Sequence, residues 1–116
     1  MDMRARTEDY VAAFDARDID RVGALMSDGF TLTDPSVSAL GPRQAVLDYI
    51  AGIFESAGDS LSFAARTILC DGRTSAIEFT LRLGDKTFDG VDIISWGDDG
   101  LMTSMRAHLT EVTEGR

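Results

Sequence analysis

Phe30-Thr31-Leu32-Thr33-Asp34-Pro35 alternates apolar and polar side chains until it reaches a carboxylate. Strand side chains point to opposite faces in turn, so Phe30, Leu32 and Asp34 share one face. Asp is depleted in strands, and a carboxylate aimed at an apolar interior is costly unless paired or protonated. Pro35 then ends regular pairing, because it has no N–H to give the ladder. Two readings fit this stretch. Asp34 is either an inward carboxylate fixed at a strand end or a loop residue opening a turn before proline.

The chain has 116 residues, which suits one domain spanning 1–116 with a real core. Its apolar fraction of 44% and charged fraction of 27% are ordinary for a globular protein. Eleven Lys and Arg against 20 Asp and Glu give a net charge of −9. No basic run interrupts that acidity, so nucleic acid and anionic membrane are poor partners. The single Cys70 excludes an internal disulfide, and Cys and His are too few for a conventional zinc site. Met1 to Thr7 is polar and no apolar run reaches spanning length, so a soluble, cytoplasmic protein is expected.

Upstream of the opening stretch, residues 4–17 carry a helical pattern, with acidic Glu8 and Asp9 after Thr7 read as a helix start. Tyr10, Val11 and Phe14 form its apolar stripe. Asp18 caps a shorter helix with Ile19, Val22, Leu25 and Met26 at helical spacing, and Ser27-Asp28-Gly29 breaks it. Downstream, Gly41-Pro42 starts a third helix whose inward face is Val46, Tyr49, Ile50, Ile53 and Phe54, closed by Ala57-Gly58. From Leu61 the period becomes two. Strands are expected over 61–69, around Ile77 to Leu83, over 87–96 and over 101–109, with turns at Asp71-Gly72, Gly84-Asp85 and Asp98-Asp99-Gly100. The tail from Thr110 is polar and expected to fray. Three helices, one early strand and a four-strand meander make an α+β plan, in which a curled sheet leaves an apolar pocket against the helices.

A second anomaly lies in the strand 87–96. Period two puts Phe88, Asp92, Ile94 and Trp96 on one face, with Gly90 between them. An inward Asp92 among apolar neighbours has its pKa raised by desolvation, stays neutral at pH 7 and acts as a donor. The competing reading exposes Asp92 and turns Val91 and Ile93 inward, which buries fewer large side chains. Tyr10 is either a core aromatic or a third polar group of the pocket, and a buried hydroxyl needs a partner, for which Tyr49 is a candidate.

Tyr10-Val11-Ala12-Ala13-Phe14, then Asp18-Ile19-Asp20, Ala24-Leu25-Met26 and Thr33-Asp34-Pro35, resembles the start of the bacterial Δ5-3-ketosteroid isomerases. The segment from Asp92 through Ser104-Met105-Arg106-Ala107 resembles their closing strands. The spacing carries the likeness: 24 residues from Tyr10 to Asp34 and 14 from Asp92 to Arg106. The resemblance implies the cone-shaped NTF2-like, or SnoaL-like, α+β fold, with three N-terminal helices on a strongly curved, mostly antiparallel sheet. It implies Asp34 as general base, Tyr10 and protonated Asp92 as oxyanion-hole donors, and Tyr49 as the tyrosine that hydrogen-bonds Tyr10. Phe30, Leu32, Phe54, Phe88, Ile94 and Trp96 are the expected apolar wall. Met26 stands where some relatives carry a further tyrosine.

The implied activity is allylic proton transfer in an apolar, steroid-like ketone, with no metal and no cofactor. A SnoaL-like polyketide cyclase and a non-catalytic binding or dimerisation domain are the alternatives. His108, placed on one face with Met102, Ser104 and Arg106, reads as a surface strand histidine, and Cys70 lacks the basic surroundings of a reactive thiol. Relatives commonly pair through the outer sheet face, so a homodimer is implied. Alternation supports it by placing Ile77, Phe79, Leu81 and Leu83 on one face and Val91, Ile93, Met105 and Leu109 on the other. Light scattering in dilute solution is expected to report a dimer mass, and a monomer mass counts against this assembly.

Overall fold

The computed structural model describes residues 2–113. Helix α1 (Met3–Asp15) starts one residue before the expected pattern of 4–17 and five before Glu8, because the Asp2 carboxylate accepts the Ala5 N–H at 3.0 Å. Thr7 is therefore inside the helix, fully buried, with its hydroxyl donating to the Met3 carbonyl at 2.7 Å. Helix α2 (Ile19–Ala24) is capped by Asp18, whose side chain accepts from Arg21 N at 3.1 Å. Strand β1 (Met26–Thr33) absorbs Ser27-Asp28-Gly29, the expected break, as an irregular stretch out of register with its neighbour. Helix α3 (Arg43–Ala57) follows Pro42 and stops at Gly58, whose φ of +54° suits glycine.

The meander is β2 (Ser62–Asp71), β3 (Thr74–Leu83), β4 (Lys86–Trp96) and β5 (Met102–Glu111). The first hairpin turns on Gly72-Arg73, one residue later than expected, with Gly72 at φ +58°. Thr110 and Glu111 belong to β5 rather than to a fraying tail, while residues 114–116 of that expected tail lie outside the described residues. The strand order is β1-β5-β4-β3-β2, with β1 parallel to β5 and the other pairs antiparallel. This is the NTF2-like α+β plan, helices packed on a curved mixed sheet.

Register decides which side chains meet the helices. Ile77, Asp92 and Ala107 lie in one row across β3, β4 and β5; Phe79, Gly90 and Leu109 form the next. Ser75, Ile94 and Met105 form the row below. Met105 and Leu109 thus face inward, contrary to the expectation that put them on the outer face. The irregularity opposite Ser95/Trp96 is the cause, since it pairs Met102 with Trp96 and restarts alternation at Ser104. The same shift separates buried Met102 from exposed Arg106 and His108. The outer face keeps half-buried Val91 and Ile93 beside Ala76, Glu78, Arg106 and His108, so it is mixed rather than apolar.

Gly90 lets neighbouring groups come close to the inner face. A Cβ there would come within 2.5 Å of the His108 carbonyl oxygen and 2.7 Å of Phe79 Cζ. Phe79 is the ring that occupies the place of the missing side chain, and it is one wall of the space described below. Gly90→Ala is expected to destabilise the fold by about 1–3 kcal/mol through overpacking, read as a lower urea midpoint at unchanged slope.

Candidate active site

Between the helices and the inner sheet face lies a cavity of about 380 Å³. Tyr10 from α1, Asp34 from the end of β1, Tyr49 from α3 and Asp92 from β4 all line it. So do Phe30, Leu32 and Phe88 of the expected wall. The remaining lining is almost wholly apolar, and among the described residues no Lys, Arg or His contributes to it.

Three expected wall residues lie elsewhere. Phe54 packs edge-on against Phe14 with ring centroids 4.9 Å apart, and Phe14 takes the place in the wall. Ile94 is fully buried one step deeper than Asp92. Trp96, deeper still, donates its indole N–H to Ser75 Oγ at 2.9 Å. Period two identifies a strand's inward face but not where along the strand the void ends. The wall residues that went unassigned, including Phe14, Phe63, Phe79, Leu81, Met26 and Met105, carry the same limit. Alternation marks Phe79 and Leu81 as inward, yet only the register opposite Gly90 brings them to the cavity.

Asp34 is fixed by local geometry. Leu32 and Leu40 exchange backbone hydrogen bonds at 2.8 Å in both directions, closing the loop that follows the strand. Asp34 Oδ1 accepts the N–H groups of Ser36 at 2.7 Å and Val37 at 2.9 Å, and its own N–H donates to the Val37 carbonyl at 2.9 Å. Oδ2 accepts the Tyr49 hydroxyl at 2.8 Å. The side chain is half-buried. Asp34 is therefore both of the things its sequence allowed, a turn-opening Asp and a carboxylate on the cavity wall.

Tyr49 does not reach Tyr10. The hydroxyl assigned by resemblance to the Tyr10 hydrogen bond goes to Asp34 instead. Tyr10, 3% exposed, donates to the Met105 sulfur at 3.8 Å, a weak acceptor. Burial, and then the Asp92 carboxylate, push the Tyr10 phenol well above 10.0. Burial also raises Tyr49, helped by its hydrogen bond to Asp34 and by the Asp34 charge, while the Ser36 hydroxyl pulls the other way.

Asp92 is 4% exposed, and its flanks on β4 are Gly90 and Ile94. Among the described residues no group donates a hydrogen bond to its carboxyl, which opens onto the cavity. Desolvation first, and the Asp34 charge second, raise its pKa from 3.8 to about 7. A carboxyl raised toward neutrality and a phenol thus face the same apolar space as a hydrogen-bonded carboxylate. That set can hold a developing oxyanion and move one proton.

Residues 7–105 match the sequence profile of the SnoaL-like domain. No curated protein matches the chain. Among solved structures, an NTF2-like protein of unknown function from Cytophaga hutchinsonii superposes with a TM-score of 0.82 at 10% identity, over 95% of this chain and 91% of that one. A "putative ketosteroid isomerase" from Kribbella flavida gives 0.81 at 21% identity, over 98% and 82%. A "putative SnoaL-like polyketide cyclase" from Shewanella denitrificans gives 0.78 at 10% identity, over 93% and 90%. At these identities the likeness is one of fold.

The raised Asp92 makes stability depend on pH. Below 3.8 the group is protonated in both folded and unfolded chains. As pH rises toward about 7 the unfolded chain loses the proton first, so the folded state is progressively disfavoured. That loss is expected to total on the order of 4 kcal/mol and to level off above neutrality. Urea unfolding between pH 4 and 8 should show this fall on top of other groups' contributions, and Asp92→Asn should flatten it.

Proposed function

The chain belongs to the SnoaL-like domain family, and we propose that it is an isomerase of the ketosteroid isomerase type, moving a proton within an enolisable, apolar ketone. The observation that carries this reading is the convergence of Asp34, Tyr10 and Asp92 on one apolar cavity, where burial and the Asp34 charge raise Asp92. Asp34 takes the proton α to the carbonyl, and the electron pair of the broken C–H bond delocalises onto the carbonyl oxygen. Tyr10 and Asp92 donate to that oxygen as it becomes negative. A carboxylic acid kept neutral for this purpose is the established device of ketosteroid isomerases. Asp34 then returns the proton to the conjugated carbon, and the double bond has moved. The carbonyl and its donors carry the charge, so the step requires no cofactor.

The walls set the substrate class. A lining without cations gives no anchor for an anionic substrate, and about 380 Å³ of mostly apolar space suits a compact, neutral, apolar molecule. A purely binding or dimerising domain accounts poorly for Asp92, since a partnerless carboxyl weakens the fold without helping to bind an apolar ligand. A SnoaL-like polyketide cyclase would use similar acid–base chemistry, and the cyclase-named neighbour from Shewanella denitrificans shares the fold. The two enzymes differ in product: only the isomerase makes a conjugated enone without forming a new C–C bond.

Incubation with a Δ5-3-ketosteroid, followed by enone absorbance, tests the reading directly. Asp34→Asn is expected to lower turnover by about 10²–10⁴-fold, and Tyr10→Phe by about 10²–10³-fold. Asp92→Asn retains a donor of similar shape and should lose less than Asp92→Leu. Affinity for a phenolate mimic of the dienolate should fall in Tyr10→Phe and Asp92→Leu and hold or rise in Asp34→Asn. A phenol that bound no worse to the first two variants would sink this mechanism.

A further inference from the structure

The two oxygens of Asp34 are engaged unequally. Oδ1 accepts from two backbone N–H groups, Ser36 at 2.7 Å and Val37 at 2.9 Å. Among the described residues Oδ2 accepts from the Tyr49 hydroxyl alone, at 2.8 Å. A carboxylate offers about four lone-pair positions, two on each oxygen. The turn fills both positions on Oδ1, and Tyr49 fills one on Oδ2. One position is left.

Building on the isomerase reading, we infer that the free lone pair of Oδ2 is the single proton-accepting site of Asp34, and that Tyr49 is the positioning residue that holds it toward the substrate. Swinging Oδ1 into that role would break two backbone hydrogen bonds and the Tyr49 contact together. The α proton therefore moves onto Oδ2 as its C–H bond breaks, and the same O–H bond breaks when the proton is returned. Tyr49 suits the task because its ring lines the cavity wall from α3 while its hydroxyl is turned to the β1 end. The hydroxyl is not drawn toward Tyr10, which donates to Met105. In the arrangement implied by the resemblance this tyrosine supports the oxyanion donor; here it supports the base. The other titratable groups around the pair are Asp92 across the cavity and, in the groove behind Asp34, Asp89 and His108.

Two measurements test the assignment. The chain has two tyrosines, so in a Tyr10→Phe background the phenolate absorbance on base titration reports Tyr49 alone. Its pKa is raised in part by Asp34, and adding Asp34→Asn should move that titration to lower pH. An unmoved titration overturns the inference. In the otherwise unaltered enzyme, Tyr49→Phe keeps the ring and removes only the hydroxyl. It should lower kcat about 10-fold while KM changes by less than about 2-fold, because a loosened base reacts less often without binding substrate less well. An unchanged kcat, or a loss confined to KM, overturns the inference while leaving the isomerase reading intact. Failure of the unaltered protein to turn over any enolisable ketone overturns that reading, and the proton-accepting role with it.

Discussion

Among the described residues none donates a hydrogen bond to the carboxyl of Asp92, which faces the cavity between the helices and the sheet. A largely buried carboxyl that opens onto an apolar cavity loses most of its water, which disfavours its charged form. Here the missing side chain of Gly90 leaves room for the Phe79 ring on the inner face beside Asp92. The rings around the cavity keep it from collapsing. Phe14, Phe63 and Phe79 pack in sequence, tilted against one another with centroids 4.9 and 5.0 Å apart, and Tyr10 sits 6.0 Å from Phe14. Rings of this kind move little once interlocked, so the wall is stiff where the carboxyl is exposed to it.

The deep end of the same core shows what an ordinary buried polar cluster looks like. Trp96 donates to Ser75 Oγ at 2.9 Å, Ser75 and Thr7 hydroxyls lie 3.0 Å apart, and Thr7 reaches the Met3 carbonyl. Every member has a partner, and the chain ties α1 to β3 and β4. Tyr10 follows Thr7 by one turn on α1, so this network also fixes the height of the phenol above the sheet. Asp92 lies one row away and shares none of it. The polar groups at the deep end are bound to one another, whereas Asp92 faces the cavity.

Element order, the early strand and the inward faces of β3 and β4 were legible because period two and period 3.6 are local properties. Asp92 was placed correctly on the same ground. At Asp34 both candidate readings hold, since the turn that engages Oδ1 is what fixes the carboxylate on the wall. The misplacements share one cause. Ile94, Trp96 and Phe54 sit on the right faces at the wrong depth, and depth depends on cross-strand register and helix position. Met105 and Leu109 were put on the wrong face by a register shift that leaves no mark in the alternation of β5. Tyr49 was assigned to Tyr10 by resemblance, but its target is set by where the Asp34 loop meets α3.

The wall's lack of cations also bears on how the proposed reaction keeps its electrostatics simple. At rest the cavity holds the Asp34 charge, which helps keep Asp92 protonated. When Asp34 takes the proton, its charge disappears and an equal charge arises on the substrate oxygen beside Tyr10 and Asp92. The cavity holds one negative charge throughout, and only its position changes. The negative charge that raises Asp92 at rest is thus replaced by a nearer one on the substrate oxygen, which keeps Asp92 protonated as a donor while the oxyanion lasts. A lysine or arginine in the wall would pin the charge at one end and oppose its transfer. In an apolar cavity little solvent has to reorganise as the charge moves, so donors already in place act at close to full strength.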